Sequence, residues 1–545
     1  MQHISRRQAL IGLGALTFVV AGCGADEAPK KTADVSANKA GAMAGYGVGQ
    51  QFKATEPVSF DVLYNNHPFY PLKDDWLFWQ ELTKRTNVTL KPVAVPLSDY
   101  EKKRGLLVGS GQSPLIIPKT YHPAEEAFVA SGAILPVSDY LDLMPNFKDK
   151  VAKWKLEPEL DTFRQADGRY YLLPGIHEEI WVDYSLAVRT DILEKLNLEI
   201  PKTWDELYTV LKAMKAEYPD LYPMTDRWGV PTPGGNLLKL VAQAYGTKGG
   251  WEYQHATWDS AAGKFAYTGA MPQYKQMIEY VAKLVKEKLL DPESFTQQDE
   301  QAKQKFNSGK SFVISTNAQS LINDYRPTLT KTNPDAKVVK IPVPMGPAGD
   351  YKIGVQTENG VMISKKALEN KNFVALMQFI DWLWYSDQGE EFAKWGVEGT
   401  TYTKDASGNH KLAKDIDFIG LNPGVPKHLQ KDFGFSNGVF AYGGTTKLLE
   451  SVFSEEELAF QKVMNARKPW PVDPPHPFND EEREQATLWE TPLKDYVTQN
   501  TLKFILGERD ISEWDAYLKE LEGKNTSSYI NLVNTAYERF KKDHG

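Results

Sequence analysis

The sequence predicts an α/β fold divided into more than one packed unit, and three observations carry that reading. Short apolar strands alternate with helical segments from Val58 onward, the pattern of sheets crossed by helices. The 545 residues suit two or three units at roughly 100–200 residues each. With 25% charged and 41% hydrophobic residues, the chain has the balance of a globular protein. Charge narrows the function: 63 Lys and Arg stand against 71 Asp and Glu, a net charge of −8. No nucleic acid is expected as a partner, because such binding needs a basic stripe to displace counterions.

The elements follow in order. Arg6 and Arg7 precede an apolar run, Ala9–Ala21, that is shorter than the ~20 residues a spanning helix needs. It has the parts of a secretory signal instead, residues 1–22. Val20-Ala21-Gly22-Cys23 resembles a lipobox, and Cys23 is the one cysteine of the chain. Lipidation at Cys23 and an extracytoplasmic, membrane-anchored protein are therefore expected. Residues 23–56, rich in Ala, Gly and Lys, read as a flexible tether.

Beyond the tether, strands are expected at Val58–Leu63, Val88–Val95 and Leu115–Ile117. Helices are expected at Asp74–Thr86, Leu97–Val108 and Pro123–Ala130. In a parallel sheet of this kind, ligands sit beyond the carboxyl ends of the strands. After a break at Asp167-Gly168-Arg169, Trp181–Val188 reads as a strand entering a new unit. Thr203-Trp204-Asp205-Glu206 has capping-box spacing and starts a helix. Tyr274, Met277, Ile278, Val281, Leu284 and Val285 mark another helix, stopped by Asp291-Pro292. Ser311–Ser315 and Lys337–Pro342 read as strands. Phe373–Tyr385 reads as an amphipathic helix, with a shorter one ending at Trp395-Gly396.

Several segments, taken in order, resemble the family 1 extracellular solute-binding proteins of carbohydrate ABC importers, in particular the lipoprotein subgroup of LipO-like and alginate-oligosaccharide-binding proteins. They are Asp167–Pro174, Val188–Leu193 with Pro201–Leu207, Lys283–Glu293, Ile380–Leu383 and Trp395–Thr403. The resemblance implies a type II periplasmic-binding-protein-like fold, two α/β lobes on a discontinuous hinge with a ligand cleft between them. Lobe one is then expected at 57–182 and 314–360, and lobe two at 183–313 and 361–545. It also implies an oligosaccharide ligand, ABC permease subunits as partners, a lipid anchor in the membrane and a monomer. Some members carry a calcium loop after the helix expected at 203–217. Here Tyr218–Asp226 holds two isolated Asp, too few for the six to eight oxygens of Ca²⁺, so no metal and no cofactor is expected.

Catalytic patterns fail on inspection. His177-Glu178-Glu179-Ile180-Trp181 has Trp where a zinc site needs its second His. Gly434-Phe435-Ser436-Asn437-Gly438 fits the nucleophile-elbow pattern but follows a polar stretch, not a buried strand. Glu178 and Glu179, adjacent on a strand, point to opposite faces and cannot flank one glycosidic bond. The expected protein is a receptor rather than an enzyme. A carbohydrate-active lipoprotein enzyme and a binder of peptides or other polar solutes are the alternatives.

Sugars offer apolar C–H faces edged by hydroxyls, so rings and planar polar side chains near the cleft are the candidates. Tyr64, Asn65 and His67 follow the first strand, Glu179 and Trp181 lie at the first crossing, and Asn359 lies at the second. Trp228 sits in a Pro/Gly-rich loop, and Trp395, Glu398 and Tyr402 form a Trp-Gly-x-Glu-Gly motif. Trp204, Trp382 and Trp384 lie on helix faces and are expected in the core.

Overall fold

The computed structural model describes residues 33–229, 234–352 and 354–544. The signal segment, Cys23 and residues 230–233 lie outside the described residues.

Strand β1 (Val58–Asn66) alternates between buried and accessible positions at its start and then stays buried, as a strand entering the middle of a sheet must. It pairs in parallel with β2 (Val88–Pro96), from Val58↔Val88 to Asn66↔Pro96, and with β3 (Ile116–Thr120). Helices Leu77–Thr86 and Tyr100–Gly109 make the connections. β4 (Leu173–Trp181) ends where the chain leaves this sheet. β5 (Ser185–Arg189), buried at every position, begins a second sheet with β6 (Val313–Thr316) and β7 (Val338–Ile341), both antiparallel to it. β8 (Val355–Ile363) returns to the first sheet, antiparallel to β3 and β4, giving the order β2-β1-β3-β8-β4. The first sheet is therefore mixed rather than parallel, because its last two strands carry the chain between sheets.

Each sheet has its own core. Phe60, Val62, Ile117, Leu173, Met362, Phe379 and Phe440 belong to one. Leu186, Val188, Trp204, Val281, Val313, Ile341, Phe504 and Tyr517 belong to the other. The chain crosses between them at Val182–Tyr184, again in the stretch before β8, and a third time through the helix Glu455–Asn465. Two expected lobe segments thus change places. The strands at 313–316 and 338–341 pair with β5 and build lobe two, while residues through Val452 pack into the first core. Helix periodicity says which face is apolar but not which of two cores that face joins, so the third crossing left no local mark.

Other differences have local causes. The helix expected at Pro123–Ala130 is a single turn, Glu126–Phe128, with no buried residue to hold a longer one. Trp181–Val188 breaks at 182–184, where the chain changes sheets. Thr203 Oγ accepts from Glu206 N at 3.1 Å, but the Glu206 carboxylate takes Lys202 N at 2.6 Å, a capping box displaced by one residue.

Phe373–Tyr385 is buried on every side rather than amphipathic. Its outer face is covered by the segment expected to be a tether: Met43 N donates to Gln378, Tyr46 OH to Asp381, and Phe52 packs on Phe379. Residues 35–56 are consequently part of the fold. Asp381, fully buried, earns its place by accepting from Tyr46 OH, Asn146 N and Nδ2, and Phe147 N, at the start of the helix Pro145–Trp154. Trp204, Trp382 and Trp384 are core residues.

Candidate functional site

The three crossings meet one another: β8 begins paired with Trp181 at the end of β4, and Val182 packs against Phe460 and Met464 of the helix Glu455–Asn465. Here the first lobe supplies Lys119 near the end of β3, Tyr121 just past it, and Glu358 on β8. Glu358 Oε1 is held by His177 Nε2 at 2.9 Å and Gly443 N at 2.7 Å. Burial pushes the Glu358 carboxyl up, but His177, Lys394 and the Gly443 N–H together hold it below the ordinary glutamate value. Lys119 donates to Tyr121 OH at 3.3 Å. Burial works against its charge, yet Tyr121, Tyr70 and Glu358 around it raise its pKa.

From the second lobe come Asp183, Tyr184 and Asn317, whose Nδ2 donates to Asp183 at 3.3 Å. Burial pushes Asp183 up to about 6, with Lys340 opposing and Glu457 and Glu358 reinforcing. Tyr121 of the first lobe lies within electrostatic reach of Tyr184 of the second.

Beside Tyr184 stand two more rings. Trp228 is 5.4 Å and Trp251 5.2 Å from it, and the two indoles are 5.4 Å apart. Trp251 is 39% exposed although it is a tryptophan, and Trp228 and Tyr184 are half-buried. The platform is held rigid. Trp228 adopts φ 63°, a left-handed conformation costly for a bulky residue, and Asp299 fixes it by accepting Trp228 N at 2.8 Å. The Arg227 guanidinium lies 4.4 Å from the Trp228 ring centre and is clamped by Asp299 and Tyr325, each at 3.1 Å. Gly235 permits the approach: a Cβ there would stand 1.8 Å from the Trp228 carbonyl oxygen.

The sequence candidates divide. Trp228 belongs to the platform. His67 stacks on Tyr70 at 4.8 Å and accepts Phe69 N; burial, then Lys119, push it down to about 4, so it is neutral at physiological pH. Trp181 is half-buried beside His177, with Nε1 buried and unpartnered. The Oδ1 atoms of Asn65 and Asn359 are likewise buried without a partner. Glu179 is exposed at the hinge, near Lys352, while Glu178 receives Thr446 N at 2.8 Å.

Four residues serve packing or lie apart. Tyr64 is fully buried between Trp76 and Phe440 and donates to the Tyr70 carbonyl. Trp395 donates to Ser451 and stacks on His410, which also touches buried Tyr402, and none of these contacts reaches the platform. Exposed Glu398 sits beside Tyr402. Sequence reasoning missed Tyr184, Trp251, Lys119, Tyr121, Asp183, Asn317 and Glu358. Lys119 and Tyr121 carried a usable signal, since they lie just beyond the third strand as expected from sequence, Leu115–Ile117.

Among the described residues no group of three or more His, Cys, Asp or Glu is placed to hold a metal. In the loop after Glu217, Asp226 is buried and accepts Ser315 N and Oγ, Asp220 is exposed, and the Lys215 ammonium donates to the Leu221 carbonyl. Ser436 lies in a turn after the short helix Leu429–Phe433, so the strand that a nucleophile elbow needs is missing from this place.

Residues 72–389 match the model of the bacterial extracellular solute-binding proteins. The chain belongs to that family. This solute-binding protein is 25% identical over 527 residues to the fructooligosaccharide ABC transporter substrate-binding protein FusA of Streptococcus pneumoniae, covering 90% of this chain and 92% of FusA. It is 23% identical over 479 residues to the polygalacturonan/rhamnogalacturonan-binding protein YtcQ of Bacillus subtilis, 85% of this chain and 88% of YtcQ. Its fold matches the crystal structure of the alginate-binding protein AlgQ2 with a TM-score of 0.69 at 22% identity, over 90% of this chain and 99% of AlgQ2. The architecture is that of the type II periplasmic-binding-protein-like solute-binding proteins.

Proposed function

We propose that this protein is the receptor of an ABC importer, that it captures an oligosaccharide by closing its two lobes, and that it releases the ligand unchanged to membrane permeases. One observation carries the reading: the Tyr184–Trp228–Trp251 platform of one lobe is accessible, and its Tyr184 lies within electrostatic reach of Tyr121 on the other, next to Lys119. Rings stack on sugar C–H faces while the polar floor takes the hydroxyls, and closure desolvates both. FusA and YtcQ, both named for carbohydrate binding, support it. The lipobox at Cys23 supports a receptor tethered to the outer face of the membrane.

Tryptophan fluorescence titrated with a panel of oligosaccharides tests the reading; saturable quenching by a member of the panel is expected. One pair of groups favours a second reading. Asp183 is pushed up and Glu358 held down, the split that a glycoside-cleaving acid and nucleophile show. Chromatography of the best ligand after prolonged incubation separates the two: the receptor returns it intact, and an enzyme shortens it.

A further inference from the structure

Several cations around the cleft are already occupied. Arg227 is engaged by Asp299 at 3.1 Å, Tyr325 at 3.1 Å and Asp324 at 3.8 Å, and its flat face is covered by Trp228. Lys340 is buried against Glu457 at 2.6 Å and donates to the Asp183 carbonyl. Lys239, beside Tyr184, is paired with Glu252 at 2.8 Å. Lys119 is shared between Tyr121 OH and the field of Glu358. His67 carries no charge at physiological pH.

The anions point the other way. Asp183 and Glu358 lie close enough to feel each other, and each is a hydrogen-bond acceptor. A ligand carboxylate brought between the lobes would meet two like charges and find only lysines already in the field of carboxylates, Lys119 beside Glu358 and buried Lys394 beside Glu358 and Glu390, in a space that closure dries and so makes electrostatically strong. The buried unpartnered Oδ1 atoms of Asn65 and Asn359 are acceptors too, against one such donor at the first crossing, Trp181 Nε1. A hydroxyl can donate to these acceptors; a carboxylate cannot.

Resting on the oligosaccharide reading above, we infer that the ligand is an uncharged oligosaccharide, recognised through hydroxyl groups and ring faces, and that uronic-acid chains are rejected. Selectivity then comes from the carboxylates of the floor as much as from contacts made to the right guest.

The test is calorimetric titration of the purified full-length mature protein with neutral gluco-, fructo- and manno-oligosaccharides, and with oligogalacturonates and oligomannuronates of the same lengths. A neutral chain is expected to bind at least about 100-fold more tightly than any uronate. Its affinity is expected to be unchanged in about 1 M NaCl, where charges are screened within ~3 Å. Glu358→Gln should narrow the gap by improving uronate binding. A uronate that binds best and weakens with salt would overturn the inference while leaving the receptor intact. Binding of neither class would overturn the oligosaccharide reading itself.

Discussion

Glu126 and Arg483 belong to different lobes, and their ion pair spans the rim of the cleft at 2.6 Å. Glu126 follows β3, whereas Arg483 opens the long helix Asp480–Leu506, which packs in the second core. The side chains are 20% and 31% exposed, so the pair is neither fully solvated nor fully dry. An exposed pair contributes ~0.2–1 kcal/mol, and partial burial strengthens the attraction while adding a desolvation cost, so about 1 kcal/mol is a fair net figure. That energy is available only when the lobes are together. Its loss therefore falls on the open–closed equilibrium and raises Kd about fivefold. The assay is Kd and dissociation rate for Arg483→Ala, Glu126→Gln and the double variant, with thermal melts as control. The single variants should release ligand faster with little change in melting, and the double variant should cost no more than either one. Additive losses, or a fall in melting temperature with Kd unchanged, would refute the claim that this pair holds the closed form.

Four further outcomes follow from the same geometry. Trp228→Ala removes the central ring of the platform and should cost about 2 kcal/mol of binding, roughly 30-fold in Kd by titration, with melting little changed. Trp395→Ala should do the reverse, lowering stability by ~3–5 kcal/mol in denaturant unfolding while the folded protein keeps its Kd. Asp381→Ala leaves Asn146 N, Phe147 N and Tyr46 OH without their acceptor and should cost ~3–5 kcal/mol, read as an earlier unfolding midpoint. Burial lowers His255 and His476 from 6.5 to about 4. The unfolded chain therefore takes up protons that the folded one refuses, and stability should fall as pH drops from 6.5 toward 4 and level off below it. The loss is up to about 3 kcal/mol per imidazole, and His476→Gln should flatten the melting-temperature profile over that range.

Local chemistry made much of the fold legible. Thr203 announced its helix because a cap is written in a few adjacent residues, and β1 and β2 were visible as short strand-like runs alternating with helical segments. Phe373–Tyr385 was found in full but its burial was misjudged, since the cover comes from Met43, Tyr46 and Phe52, more than three hundred residues earlier. The lobe assignment of β6 and β7 depended on which sheet they pair with, a long-range choice that no local pattern records.

The site was less legible for the same reason. Trp228 could be singled out because glycines and prolines around a ring suggest an exposed loop. Trp251 gains meaning only from a close backbone approach that Gly235 and Gly250 allow, a Cβ on Gly250 lying 2.0 Å from the Gly235 carbonyl oxygen, and Tyr184 only from the two indoles beside it. Trp395 was drawn toward the cleft by its motif, whereas its indole is spent on Ser451 and His410.

A crystal structure of the protein with its tightest neutral oligosaccharide tests the central claim most directly. The account predicts a sugar ring lying on Trp228 and Trp251, its hydroxyls on Glu358 and Asp183, and the Glu126–Arg483 bridge intact. A sugar seated elsewhere, with those indoles bare, would contradict it.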